Sequence, residues 1–171
     1  DCRRQRQMCI RDRFRSACER ADKIIAISKQ TKKDIIDFFN IHEEKIEVVY
    51  QGCNEVFKSK KNADELSNIK NKFKLFENYL LYVGSIEKRK NLLTLLKSLK
   101  DLPNKNLIII GDGKSYKIEC LNFIKKNKLE KRTKILSGLN LFEMACIYQN
   151  AEMLIYPSIF EGFGIPILEA L

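Results

Sequence analysis

Absences narrow the choices before any motif is considered. The chain of 171 residues carries seven glycines and three prolines, too few for a collagen-like or low-complexity polymer. No apolar run approaches the roughly 18 residues of a membrane-spanning helix. No signal-peptide pattern opens the sequence, so neither a membrane span nor a secreted product is expected. His42 is the sole histidine, and Cys18, Cys53, Cys120 and Cys146 never stand at CxxC spacing, so a zinc site has no support. Buried thiols in a reducing compartment fit those cysteines better than disulfides. There is no GxxxxGK[ST] phosphate loop, which argues against that type of ATPase chemistry, and no D-x-D cluster.

What is plentiful is positive charge: 32 basic against 22 acidic side chains give a formal net charge of +10. The lysines are scattered, with no basic stripe interleaved with aromatics, so no nucleic-acid partner is expected. An anionic small ligand or an anionic membrane surface stays open. Part of the excess sits in residues 1–13, DCRRQRQMCIRDR, which hold five Arg and two Asp. From Cys2 to Arg13 this string matches the translation of a widely used transposase sequencing adapter, and it is read as a non-native segment. Setting it aside lowers the net charge to +7. The other reading is a genuine basic N-terminal arm.

Beyond residue 13, short apolar segments alternate with helical periodicity. A helix is expected over 14–20, a strand within 22–27, a helix capped by Ser28, and an extended segment over 46–50. A turn at 51–54 and a Lys-rich stretch with a short helix near 65–73 follow. Strands are then expected at 79–83, 107–110, 134–136 and 153–156. The helices between them include one with Leu92, Leu95, Leu96 and Leu99 on one face, capped by Asn91. Strands alternating with helices of this length specify an α/β fold with a doubly wound parallel sheet. The sequence stops inside a helix that starts near Ile165, so an incomplete sheet domain is expected.

Ligands of open parallel sheets bind at the carboxyl ends of the strands, and that is where the informative residues fall. After the first strand of the sheet come Gly84 and then Lys88-Arg89-Lys90, just ahead of a helix N-terminus. That is a setting suited to an anion such as a diphosphate. Gly111-Asp112-Gly113 follows the second strand, permitting either close backbone approach to a ligand or a plain turn. After the fourth strand, PSIFEGFGIPILE at 157–169 places Glu161 and Glu169 eight residues apart around flexible glycines. Those carboxylates suit sugar hydroxyls and a ribose diol, although a helix cap and a helix-dipole partner would explain them too.

Taken together, ADKIIAISKQTKKDI (21–35), KIEVVYQGCNEVF (45–57), YVGSIEKRKNLLTLLKSL (82–99), LIIIGDG (107–113) and NAEMLIYPSIFEGFGIPILEAL (150–171) carry a resemblance. The chain resembles the retaining, nucleotide-sugar-dependent glycosyltransferases of family 4, glycosyl transferases group 1, whose GT-B fold comprises two facing Rossmann-like domains. The resemblance implies the end of an N-terminal acceptor-side domain over 14–49, a linker over 50–56 and a truncated C-terminal nucleotide-sugar-binding domain over 57–171. Glu161 and Glu169 match the family's E-x7-E acids, the first against the donor sugar in the catalytic position and the second on the donor ribose. Lys90 matches the diphosphate-binding lysine, and Arg89 shares that task. Gly84 and Gly113 line the donor loops, and Phe163, Gly164 and Ile165 match backbone positions facing the donor sugar and phosphates. Many members have an arginine directly after the first-loop glycine; here Ser85 stands there, so either Arg89 supplies the guanidinium, as in an RKN-type arrangement, or phosphate binding is weaker.

The implied function is transfer of a hexose from a nucleoside diphosphate sugar, GDP-mannose or a UDP-sugar, to a glycan or lipid-linked acceptor with retention of configuration. No cofactor or metal is implied, the nucleotide sugar being the donor substrate. The implied location is the cytoplasm, extending to the inner face of the membrane, where peripheral contact through Lys29, Lys32 and Lys33 stays open. Two other readings remain: a non-catalytic nucleotide-sugar-binding module, and a sugar-nucleotide enzyme of another class. One expectation is decided on DNA alone. Sequencing the source DNA is expected to find the adapter string encoding residues 2–13; an unrelated coding sequence there would restore the basic-arm reading.

Overall fold

The computed structural model describes residues 2–171, with side chains from residue 10 onward. Two compact units divide between Gln51 and Gly52. The first holds helix α1 (Cys2–Arg20), strand β1 (Ile24–Ala26), helix α2 (Lys29–Phe39) and strand β2 (Ile46–Val48). Helix α1 runs through the segment set aside above. Ser28, in extended conformation, accepts a hydrogen bond from Thr31 N and so starts α2, and Asn40 ends it with a left-handed φ of 55°. β1 and β2 pair in parallel, Ile24 against Ile46. A small core of Ala26, Ile41 and Ile46 is packed by Ile35, Ile36 and Phe39 of the amphipathic α2. His42 is exposed ahead of a 3-10 turn at Glu43–Lys45.

The second unit runs in the order α3 (Glu55–Lys58), α4 (Ala63–Phe73), β3 (Leu80–Val83), α5 (Leu92–Lys100), β4 (Leu107–Ile110) and α6 (Ser115–Lys126). It continues with β5 (Thr133–Leu136), α7 (Leu141–Asn150), β6 (Met153–Leu154) and α8 (Ile165–Ala170). Its four strands form one sheet in the order β5-β4-β3-β6, with every neighbouring pair parallel. Side chains alternate across the pleat. Leu80, Tyr82, Leu107 and Ile109 face Leu92, Leu95, Leu96 and Leu99 of α5 with Cys120 and Ile124 of α6. Leu81, Val83, Ile108 and Ile110 face Phe57, Ile69 and the Ala145–Tyr148 stretch of α7. Each buried Leu or Ile contributes about 1.5–3 kcal/mol relative to exposure, so double coverage holds the sheet. The chain winds from β3 to β4 on one side and reaches β6 on the other, which puts the topological switch point between β3 and β6.

Three expectations differ in detail. The fourth strand is shorter than 153–156, because after Leu154 the chain peels away, keeping one further ladder bond from Ile155 N to Leu81 O at 2.7 Å. The Lys-rich stretch holds the extra helix α3, started by the Asn54 side chain on Val56 N. Asn91 occupies the N-cap position of α5 but makes no side-chain cap bond, because its own φ of 57° turns its side chain elsewhere.

Three of the basic side chains close helix C-termini. Lys61, 8% exposed, donates to Val56 O of α3 at 2.9 Å. Lys134 donates to Phe73 O and Lys74 O at the end of α4 (2.9 and 2.6 Å). Arg132 spans Leu99 O, Leu102 O and Lys105 O, at and just past the end of α5 (3.2, 2.7 and 3.0 Å). Orphan carbonyls and the helix dipole favour cations at such positions.

The strand ends themselves are glycine-dependent. A Cβ on Gly111 would lie 2.0 Å from Gly84 O, and one on Gly113 would lie 2.3 Å from Ile86 O. Backbone cannot yield there, so the loops after β3 and β4 fit only because both positions lack side chains. Gly111→Ala is expected to cost about 1–3 kcal/mol or more, read as a lower urea midpoint. Gly52→Ala, where an added Cβ meets nothing within 4 Å, is expected to stay within about 0.5 kcal/mol of the parent.

Candidate functional site

The loop after β3 leaves the sheet at Gly84, whose N–H still bonds Ile110 O at 3.0 Å, and is tied to the neighbouring loop by Ile86 N to Asp112 O at 2.8 Å. It then tightens into a 3-10 turn, Lys88–Lys90, directly before α5. Across the switch point, the loop after β6 is stitched to that turn residue by residue. Ile159 N donates to Arg89 O at 2.9 Å, Arg89 Nη1 to Phe160 O at 2.7 Å, and Asn91 Nδ2 to Pro157 O at 3.2 Å. Instead of capping a backbone N–H of α5, the Asn91 side chain makes this bond to Pro157 and accepts from Thr94 Oγ1 at 2.7 Å.

The stitching delivers Glu161 to the cations. Lys90 Nζ lies 2.6 Å and Arg89 Nη1 3.1 Å from Glu161 Oε1, and Ser158 Oγ donates to the same oxygen. The side chain of Lys90 is 11% exposed and that of Glu161 21%, whereas that of Arg89 is 42% exposed. The Lys90 stem runs past Gly84, where an added Cβ would sit 3.6 Å from its Cδ and Cε. Burial pushes the Glu161 carboxyl up, but Lys90, Ser158 and Arg89 outweigh it and bring the pKa down to about 2. For Lys90, burial opposes its charge, and the bonds to Glu161 and Tyr156 more than restore it, leaving its pKa raised. Glu161 is thus a fixed anion at neutral pH and cannot serve there as a proton donor.

The remaining candidates are placed as follows. Gly113 gives its N–H to its neighbour's carboxylate, Asp112 Oδ1 at 2.8 Å, which also takes Lys117 Nζ at 2.7 Å. Gly164 stands at the N-cap position of α8 with φ 88°, between Phe163 and the first helical residue, Ile165. Glu161 does not cap that helix, so the cap reading of this acid gives way to the ion pair. Glu169 sits on α8 and accepts from Tyr148 Oη at 2.7 Å, beside a cavity of about 200 Å³ lined also by Phe57, Lys58, Lys60 and Gln149. The structure therefore gathers Lys90, Arg89 and Glu161 at one point, with Gly84 beneath, and holds Glu169 on Tyr148. The N-terminus of α5 is partly closed from within, since Leu93 N donates to Tyr116 Oη at 3.0 Å.

Sequence reasoning missed Ser158, Tyr156 and Asn91. Lys90 Nζ donates to Tyr156 Oη at 3.1 Å and stands 5.2 Å from the centre of its ring. The available signals were a tyrosine and a serine on either side of Pro157, and an asparagine directly after Lys90.

A cationic turn and an acidic loop meeting at the switch point of a doubly wound sheet, in a chain with a second parallel α/β unit, are parts of a GT-B-type protein. The chain belongs to the glycosyl transferases group 1 family, whose model matches residues 63–171, and a second model, glycosyltransferase family 4, matches residues 3–56. It is 30% identical over 160 residues to the O-antigen chain mannosyltransferase RfbU of Salmonella typhimurium, covering 92% of this chain and 42% of that protein. It is 26% identical to the O-antigen chain mannosyltransferase B of Escherichia coli, with 86% and 40% covered. Anabaena HepE, solved in complex with UDP and glucose, superposes with a TM-score of 0.79 at 21% identity, over 90% of this chain and 43% of that one. The chain thus spans about two fifths of the length of these relatives.

The Glu161 cluster should be visible in stability against pH. Its folded pKa of about 2 lies below the ordinary 4.5. Its contribution is therefore complete above about pH 4.5 and is lost as pH falls toward 2. Glu161→Gln is expected to flatten the urea-midpoint profile between pH 5 and about 2.5 while leaving the rest of the curve in shape.

Proposed function

We propose that this chain is the donor-binding portion of a retaining glycosyltransferase that transfers a hexose from a nucleoside diphosphate sugar to a glycan or lipid-linked acceptor. The observation that carries the reading is the meeting of Lys90, Arg89 and Glu161 at the β3–β6 switch point, where open α/β sheets bind ligands. Breaking the anomeric C–O bond builds negative charge on the departing nucleoside diphosphate and positive charge on the sugar ring. Lys90, largely withdrawn from water, and the more exposed Arg89 stabilise the first by charge-assisted hydrogen bonds. Glu161, as a carboxylate beside the ring, stabilises the second electrostatically. In this reading Phe163, Gly164 and Ile165 lie against the donor sugar and phosphates, Gly84 and Gly113 shape the loops around it, and Glu169 receives the donor ribose once Tyr148 releases it.

The relatives named as mannosyltransferases favour a mannose-type donor and an acceptor in surface polysaccharide; the HepE complex keeps UDP-sugars in view. Among the described residues no helix is long and apolar enough to cross a membrane, and the proposed setting is the cytoplasm, at the inner membrane face. Lys29, Lys32 and Lys33 border an open cavity of about 390 Å³ that Asp37 and Glu43 also line, with Lys32 paired to Glu43 at 3.0 Å, so peripheral contact with an anionic headgroup would rest on Lys29 and Lys33. Lys90 and Arg89 supply the countercharge for the diphosphate, so the proposal invokes no metal.

Titration calorimetry of the chain with GDP and UDP tests it. Binding of at least one is expected, with Lys90→Ala weakening it by about tenfold or more, the loss of a bond to a charged group. Absence of binding to both would overturn the reading. In a full-length parent, Glu161→Ala is expected to lower turnover by about 100-fold or more in a screen of GDP-mannose, UDP-glucose and UDP-N-acetylglucosamine.

A further inference from the structure

Tyr156 stands just before Pro157, where the chain has left β6, and it touches two parts of the strand-end cluster. Its hydroxyl accepts from Lys90 Nζ at 3.1 Å, and the same ammonium lies 5.2 Å from its ring centroid. Its ring edge also closes on Gly164, where an added Cβ would come 3.7 Å from Cε1. The side chain is half-buried. Burial raises the phenol's pKa against the opposing pull of Lys90, with Glu161 adding to the rise, so the hydroxyl stays neutral at physiological pH.

The two partners of Lys90 differ in kind. A carboxylate cancels the lysine's charge; a phenol oxygen and an aromatic face direct an ammonium while leaving its charge in place. An ammonium has three donors. With one on Glu161 and one on Tyr156, the third is available to an anion. An incoming phosphate competes with the carboxylate, since both are anions, and does not compete with the phenol.

We infer that Tyr156 is a positioning residue for the diphosphate: its hydroxyl holds the Lys90 ammonium at the β3–β6 crevice while phosphate replaces Glu161 as the counterion. The inference rests on the donor reading above and adds a residue that reading does not use. It also accounts for a lysine that is already ion-paired yet stays aimed at the crevice, since the phenol fixes its direction whichever anion holds its charge.

The test compares the full chain with Tyr156→Phe, which keeps the ring against Lys90 and Gly164 and deletes only the oxygen. Two readouts are taken: the Lys90 side-chain NMR titration, assigned with Lys90→Arg, and calorimetric binding of inorganic pyrophosphate, UDP and GDP. The Lys90 pKa is expected to fall in the variant, and affinity for pyrophosphate and for the bound nucleotide to drop about five- to tenfold, with an unchanged urea midpoint. Affinities within about twofold of the parent, or an unmoved Lys90 titration, would overturn the role of Tyr156 and leave the donor reading standing. Should the parent bind pyrophosphate but neither nucleotide, with the variant weakened and Lys90 shifted, the donor reading would fall and the hold on Lys90 would remain. A parent that binds none of the three probes overturns both.

Discussion

An ammonium and a carboxylate, Lys90 and Glu161, 2.6 Å apart, hold together two loops that leave the sheet on opposite sides of its switch point. That contact is where the local geometry of the two strand ends converges. The turn before α5 fixes Lys90, the loop after β6 brings Glu161, and the backbone bonds between Arg89 and residues 159–160 set the spacing. Such a pair is worth little where water screens it. With both side chains largely withdrawn from solvent, each charge needs the other, and removing one leaves the second uncompensated. The two loops therefore behave as one object.

That object is rigid because of what lies below it. β3 is covered on both faces, with Leu80 and Tyr82 toward α5 and α6 and Leu81 and Val83 toward α4 and α7. Its carboxyl end is a fixed point from which Gly84 departs. Gly111 and Gly113 let the next loop close against the first at backbone contact distance. Glycine there serves the sheet before it serves any ligand, since the N–H of Gly113 is taken by Asp112.

How much of this could be read from the residues alone varied with the range of the interaction. Periodicity exposed the alternation of strands and helices, because the four leucines of α5 and the apolar run of β4 are local patterns. Ser28 as a helix start was legible for the same reason. The grouping of Lys90, Arg89 and Glu161 at strand ends was legible as placement, while their direct pairing was not, because it depends on the order β5-β4-β3-β6, which no local pattern encodes. Asn91 misled because an asparagine before a leucine-rich helix ordinarily caps it; only the left-handed backbone shows that the side chain turns to Pro157 instead. Part of the charge excess was not legible as structural: Lys134 and Arg132 bond carbonyls at the ends of α4 and α5, and those partners lie too far along the chain for spacing to reveal them.

In the proposed donor reading, the chemistry would turn on exchange at the strand ends. One carboxylate, Glu161, is shared by two cations, Lys90 and Arg89. A diphosphate carries more charge than one carboxylate and offers more acceptor oxygens, so on that reading it would draw Lys90 and the more exposed Arg89 away from Glu161. The carboxylate would then keep less countercharge while positive charge developed beside it on the ring. Binding the leaving group and sensitising the acid would in this way be one event, its strength set by the same short contact that joins the two loops.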